Sequence, residues 1–141
     1  MIVDCAVYEE GTRREGDLAL EDAFSRCRGD DSFAWIGLYE PTEDEFDSVR
    51  REFNLHELPV EDAIKAHQRP KLEMYEHFLF VVLKTARYVD SEEVVEFGEI
   101  LVFLGMGFII TVRHGATDLH HVREQLEQQP ERLKRGPSAA L

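Results

Sequence analysis

Residues 56–84 read HELPVEDAIKAHQRPKLEMYEHFLFVVLK, and three features meet in them. Pro59 suits the first position of a short helix, where its missing N–H costs nothing. At about 100° per residue, Val60, Ala63 and Ile64 share one face of that helix and Glu61, Asp62 and Lys65 the other. The two carboxylates thus sit at the positive end of the helix dipole and point away from the core. Arg69 precedes Pro70, which pushes it out of helical space and ends the helix. Residues 78–83 are then wholly apolar, a buried strand.

Outward from there, the pattern alternates between strand and helix. Residues 2–8 predict a first strand, residues 9–17 a polar loop, and residues 18–27 a helix with apolar positions 20, 23, 24 and 27. Residues 33–39 predict a second strand, apolar enough to be central. Thr42 followed by Glu45 is a capping box, and Phe46, Val49 and Phe53 give the helix after it one apolar face. Between positions 40 and 62 the outer surface is acidic: Glu40, Glu43, Asp44, Glu45, Asp47, Glu52, Glu57, Glu61 and Asp62 stand against Arg50 and Arg51.

Past Pro70 the period changes to two. Residues 71–75 alternate with Leu72 and Met74 on one side, and Glu76-His77 marks a bend. Residues 78–89, 94–104 and 108–113 predict three hairpin-linked strands. Gly105-Met106-Gly107 is the tight turn between the last two. Residues 116–128 predict a helix with Leu119, Val122 and Leu126 as its buried stripe, interrupted at Pro130. The order implies a mixed sheet with helices on both faces, in one domain spanning residues 1–141.

Composition narrows the function. The chain has 141 residues, 43% of them hydrophobic, and a formal net charge of −13 from 16 basic and 29 acidic side chains. Such a surface repels nucleic-acid phosphates and anionic membranes. It suits hard cations that take oxygen ligands, although acidity also serves plain solubility. Cys5 and Cys27 make no disulfide framework. The sequence meets acid at Asp4 with no secretory signal before it, and the longest apolar run, residues 100–112, is shorter than the ~20 residues a membrane helix needs. These features predict a soluble chain in a reducing compartment.

Asp62 with its neighbours, the run His67-Gln68-Arg69-Pro70-Lys71, Glu73-Met74-Tyr75 and residues 78–84 resemble the cytoplasmic domain of CorA-family magnesium transporters. Trp35-Ile36-Gly37-Leu38 and Gly136-Pro137-Ser138 fit the same pattern, so the resemblance runs from Ile2 to Leu141. No single motif is strong; their order and spacing are what is specific. The resemblance implies an α/β (α+β) fold, a three-layer α/β/α sandwich with a mixed parallel and antiparallel sheet. It implies a regulatory domain that binds Mg²⁺ between subunits of a homopentamer, with Glu61 and Asp62 among the ligands. That site is incomplete without acidic partners from helices absent from this sequence. The pore and its membrane helices would lie beyond Leu141, with this domain facing the cytoplasm. The transported ion would be magnesium or cobalt. Two other readings stay open: a stand-alone acidic interaction module without a metal role, and the soluble domain of a zinc-transporting relative.

Other constellations are weaker. His120 and Glu124 are i, i+4 on a helix, but two ligands without cysteine are not a zinc site. His114 and His121 stand nearby; His56, His67 and His77 are scattered. There is no nucleophile elbow, phosphate loop or HExxH, and no enzyme activity is expected. Gly105-Met106-Gly107 shares two letters with the family's Gly-Met-Asn pore signature but lies between strands. It is a turn, not a selectivity element.

Overall fold

The computed structural model describes residues 1–14, 19–20, 22–23, 31–55, 64–65, 68–115 and 118–141. In chain order the elements are β1 (Ile2–Glu9), β2 (Thr12–Arg13), β3 (Ser32–Tyr39), α1 (Glu43–Glu52), β4 (Lys71–Met74), β5 (Phe78–Val89), β6 (Val94–Gly105), β7 (Phe108–His114), α2 (His120–Glu127), α3 (Pro130–Leu133) and a closing 3₁₀ turn (Pro137–Ala140).

Among the described residues seven strands join one sheet in the order β2-β1-β3-β7-β6-β5-β4. Every neighbouring pair is antiparallel except β3 and β7, which run parallel from Ala34↔Phe108 to Tyr39↔Arg113. The sheet is therefore mixed, as the sequence pattern requires. Its last three strands form the expected meander, and β4 extends it by pairing with the outer edge of β5. Parallel strands need cover on both faces, and β7 shows the consequence: FIITVRH is buried at all seven positions.

Strand alternation divides the core into two clusters, one on each face. One holds Val7, Ala34, Ile36, Leu38, Phe80, Val82, Leu101, Phe103, Ile110 and Val112 with Phe46 and Val49 of α1. The other holds Ala6, Tyr8, Phe33, Trp35, Val81, Val102 and Ile109 with Leu126 of α2 and Leu133 of α3. Helices thus cover both faces of the sheet. The α1 start is the predicted capping box: Glu45 N–H donates to Thr42 Oγ1 at 3.2 Å and Thr42 N–H to Glu45 Oε1 at 3.1 Å.

Three expectations change. Residues 9–17 are not all loop, because Thr12–Arg13 returns as a strand on β1 through a turn at Glu10 and Gly11. Gly11 is required there: its φ is +83°, and a Cβ would stand 2.0 Å from the Pro130 carbonyl oxygen. Helix α2 begins only at His120, and its buried stripe differs. Val122 is 44% exposed, whereas Arg123 is 6% exposed beside buried Leu126. An aromatic partner on β3 draws the arginine inward, as described below. Third, β4 alternates as predicted, but its apolar side faces solvent, with Leu72 64% and Met74 82% exposed.

The expected helix around Pro59 lies mostly outside the described residues. Ile64 is helical and packs against the α1-side core. Of the stripe at 20, 23, 24 and 27, Leu20 and Ala23 also pack there; positions 24 and 27 lie outside the described residues. The turn at 105–107 is as predicted, with Gly107 at φ +80°.

Candidate functional site

The predicted metal ligands Glu61 and Asp62 both lie outside the described residues. The acidic surface leading to them begins on α1, where several carboxylates are already engaged. Glu45 takes the Met1 ammonium at 3.0 Å in addition to its cap bond. The Thr42 amide first, and then that ammonium, hold its carboxyl below the usual range. Asp47 binds Arg50 at 2.6 Å and also Arg51, and the Arg51 contact is the larger cause of its lowered pKa. Glu43 and Asp44, in the same first turn, are exposed.

Carboxylate oxygens are the right chemistry for Mg²⁺, which keeps several waters and takes one or two carboxylates from a protein. Among the described residues no group of three or more His, Cys, Asp or Glu could hold a metal ion. A site at Glu61 and Asp62 would thus need water and a second surface. His120 and Glu124 do pair, at 3.1 Å, but both are exposed and gather no third ligand.

On the opposite face sits a charge network that the sequence did not announce. Arg123 lies over Trp35, guanidinium carbon 4.4 Å from the ring centroid, and pairs with Asp4. Burial depresses the guanidinium to about 10, and the charge of Glu127 opposes the shift. Arg13, on β2, bridges Asp4 at 2.9 Å and Glu127 at 3.2 Å. Tyr8 donates its hydroxyl to Glu127 at 2.7 Å. Trp35 Nε1 donates to Thr111 Oγ1 at 3.4 Å on the parallel neighbour. These contacts tie α2 to β1, β2 and β3, and Asp4, Thr111 and Arg123 line a pocket of about 180 Å³. An arginine four residues before Glu127 is the only linear hint of the network.

Tyr8 carries a pH prediction. Burial raises its pKa first, and the Glu127 bond and charge raise it further, well above the usual value of about 10. The unfolded chain then releases the phenolic proton near pH 10 while the folded one retains it. Unfolding is favoured progressively above that pH. Denaturant midpoints should fall between pH 9.5 and pH 11 in the wild type (roughly the span over which an unfolded tyrosine ionises). Tyr8→Phe should flatten the fall. An unchanged slope in the variant would assign the alkaline loss to other groups.

A second pocket, of about 240 Å³, lies on the α1 side where β6 leaves β7. It is lined by Lys84, Glu99, His114, Glu40 and Phe97. Glu99, just 3% exposed, sits inside the strand predicted over residues 94–104.

The comparisons with known proteins agree on one family. The model of the CorA-like Mg²⁺ transporter protein family matches residues 30–139. The Bacillus subtilis protein YfjQ, named as a metal ion transporter, is 33% identical over 109 residues, which are 77% of this chain and 33% of that protein. The cobalt/magnesium transport protein CorA of Thermotoga maritima is 31% identical over 75 residues, 52% of this chain and 21% of that protein. This chain therefore spans a third or less of the curated relatives it matches. The soluble domain of CorA from Methanocaldococcus jannaschii superposes with a TM-score of 0.62, covering 96% of this chain and 52% of that one, at 16% identity. That likeness shows the fold. No helix among the described residues is long and apolar enough to cross a membrane.

Proposed function

Because the chain belongs to the CorA-like Mg²⁺ transporter protein family, we propose that it is the cytoplasmic Mg²⁺-sensing domain of a magnesium or cobalt transporter. The observation that carries the reading is the family match across residues 30–139 on a fold shared with a CorA soluble domain. The excess of carboxylate, net −13, supports a cationic ligand.

In this reading Glu61 and Asp62 face a neighbouring subunit of a homopentamer. Mg²⁺ and its waters bridge the two surfaces and screen carboxylates that otherwise repel. The bridged interface favours a closed pore. When Mg²⁺ falls, the bridge is lost and the subunits loosen. Such a ligand shifts the equilibrium only by its differential affinity for the two states. The domain itself catalyses no reaction, and the pore and its membrane helices belong to parts of the protein outside this sequence.

The test is Asp62→Ala in the membrane-embedded protein. The Mg²⁺ concentration needed at the cytoplasmic face to halve the current should rise about tenfold, within the usual range of coupling between two sites. An unchanged inhibition curve would remove Asp62 from the sensor.

A further inference from the structure

Two exposed apolar surfaces lie on opposite faces of the sheet. The first is an arm. β6 pairs with β7 only between Glu99 and Gly105, while its pairing with β5 continues to Val94↔Val89. Residues 85–89 and 94–98 thus form a two-stranded ribbon beyond the sheet. Paired residues share a face, and alternate residues repeat it. Ala86, Tyr88, Val95 and Phe97 therefore fall on the α1 side, in line with Phe80 and Val82. All four are exposed, Tyr88 at 59% and Phe97 at 75%. The other face of the ribbon carries the Arg87–Glu96 ion pair at 2.8 Å. A two-stranded ribbon is marginal in water by itself, and cover for its apolar face would steady it.

The second surface lies on the α2 side, at the β4 edge. Leu126, Leu133 and Ala140 pack against that side of the sheet. Along one cross-strand row the exposure climbs from Val102 at 3% through Val81 at 8% to Leu72 at 64%. Met74 and Leu83 are exposed beside this row, next to half-buried Leu79, Ile100 and Leu104.

We propose that the arm of one subunit packs on the β4-edge patch of a second copy of this chain, one apolar sheet face on another. The two surfaces match in length, since residues 85–89 and 79–83 each extend about 17 Å. They also match in charge. The turn at the arm's tip holds exposed Asp90, Glu92 and Glu93, whereas residues 64–72, which lead into β4, carry Lys65, Arg69 and Lys71 and no acid. A closed ring of identical subunits needs two different, complementary surfaces on each, and the arm and the patch supply such a pair. The ring is that of the sensing reading, so the contact rests on its homo-oligomer. The side agrees as well: Ile64, two residues after Asp62, packs on the α1 side, which the arm presents to the next subunit. Four arm side chains bury well under the ~800 Å² per partner of a standard interface. The contact therefore forms in the assembled protein, where other contacts between subunits raise the local concentration.

The experiment is oxidative cross-linking of the full-length oligomer in liposomes, with Met74→Cys and Phe97→Cys in every subunit. Both positions are exposed, so neither change disturbs the core. Denaturing gels should show a ladder that climbs past the dimer to the whole ring, because each subunit carries both halves of the contact. Neither single variant should give a ladder, and adding Tyr88→Ser to the double variant should slow its formation several-fold. Amine-reactive cross-linking of the wild type reads the oligomer independently. A monomer there fails the sensing reading and this contact together; an oligomer without the cysteine ladder fails this contact alone. Dimers from Phe97→Cys by itself would show arms pairing with each other and overturn the proposal. So would a Met74→Cys thiol that forms no ladder yet stays shielded from a water-soluble maleimide, since a later segment of the same subunit then covers the patch.

Discussion

Phe103→Ala is expected to cost about 3–5 kcal/mol of folding stability, the range for deleting a large ring from a packed core. Phe103 is fully buried, and its ring meets three others. It stacks on Phe80 at 4.9 Å and 9°, and lies 5.6 Å from Phe46 of α1 and 6.4 Å from Phe78. The ring therefore joins two neighbouring strands to the helix above them. Truncation removes apolar area and leaves a cavity whose walls are themselves rings on stiff strands, which collapse poorly. Urea unfolding should show a lower midpoint with an unchanged slope. A loss below about 1 kcal/mol would mean that the α1 layer packs less tightly on the sheet than these distances state.

The second large effect lies on the other face. Asp4→Ala removes the carboxylate paired with buried Arg123 and strands a charge that is 7% exposed. Removing one partner of a buried pair costs about 3–5 kcal/mol, and Asp4's quarter exposure places this case near 3. Arg123→Met behaves differently, because it removes the charge yet keeps an apolar stem over Trp35. Asp4 still has Arg13, at 2.9 Å. Replacing a buried charge with a hydrophobe of similar volume is often neutral or stabilising. The double variant should therefore recover most of the Asp4→Ala loss. Additive losses in this cycle would show that Asp4 acts through Arg13 alone.

The contrast between these sites shows what the sequence could disclose. Phe103 lies within the strand predicted over residues 94–104 and within the long apolar run of residues 100–112. The capping box at Thr42 and Glu45 was likewise local, and the meander followed from turns at 90–93 and 105–107. Mixed pairing was legible from element order, because helical segments separate β3 from the meander while tight turns join the meander's strands.

Contacts across the sheet were not legible. Arg123 reads as a surface residue until Trp35 is placed beneath it, and that position depends on the parallel pairing of β3 with β7. The periodic stripe therefore chose Val122, which the structure exposes. Glu99 was hidden for the same reason: its neighbours Lys84 and His114 lie 15 residues away on either side and meet it only through strand register. For Glu61 and Asp62 the helix pattern and the family resemblance remain the basis of the assignment, since both lie outside the described residues.

In the proposed reading, the protein carrying this domain responds to Mg²⁺ on its cytoplasmic side. The most direct measurement is ion flux through that protein in oriented liposomes while Mg²⁺ at the domain's face is raised from micromolar to millimolar. Flux should fall as Mg²⁺ rises and recover when a chelator is added on that face alone. Flux that stays constant across the range, in the wild-type protein, would contradict it.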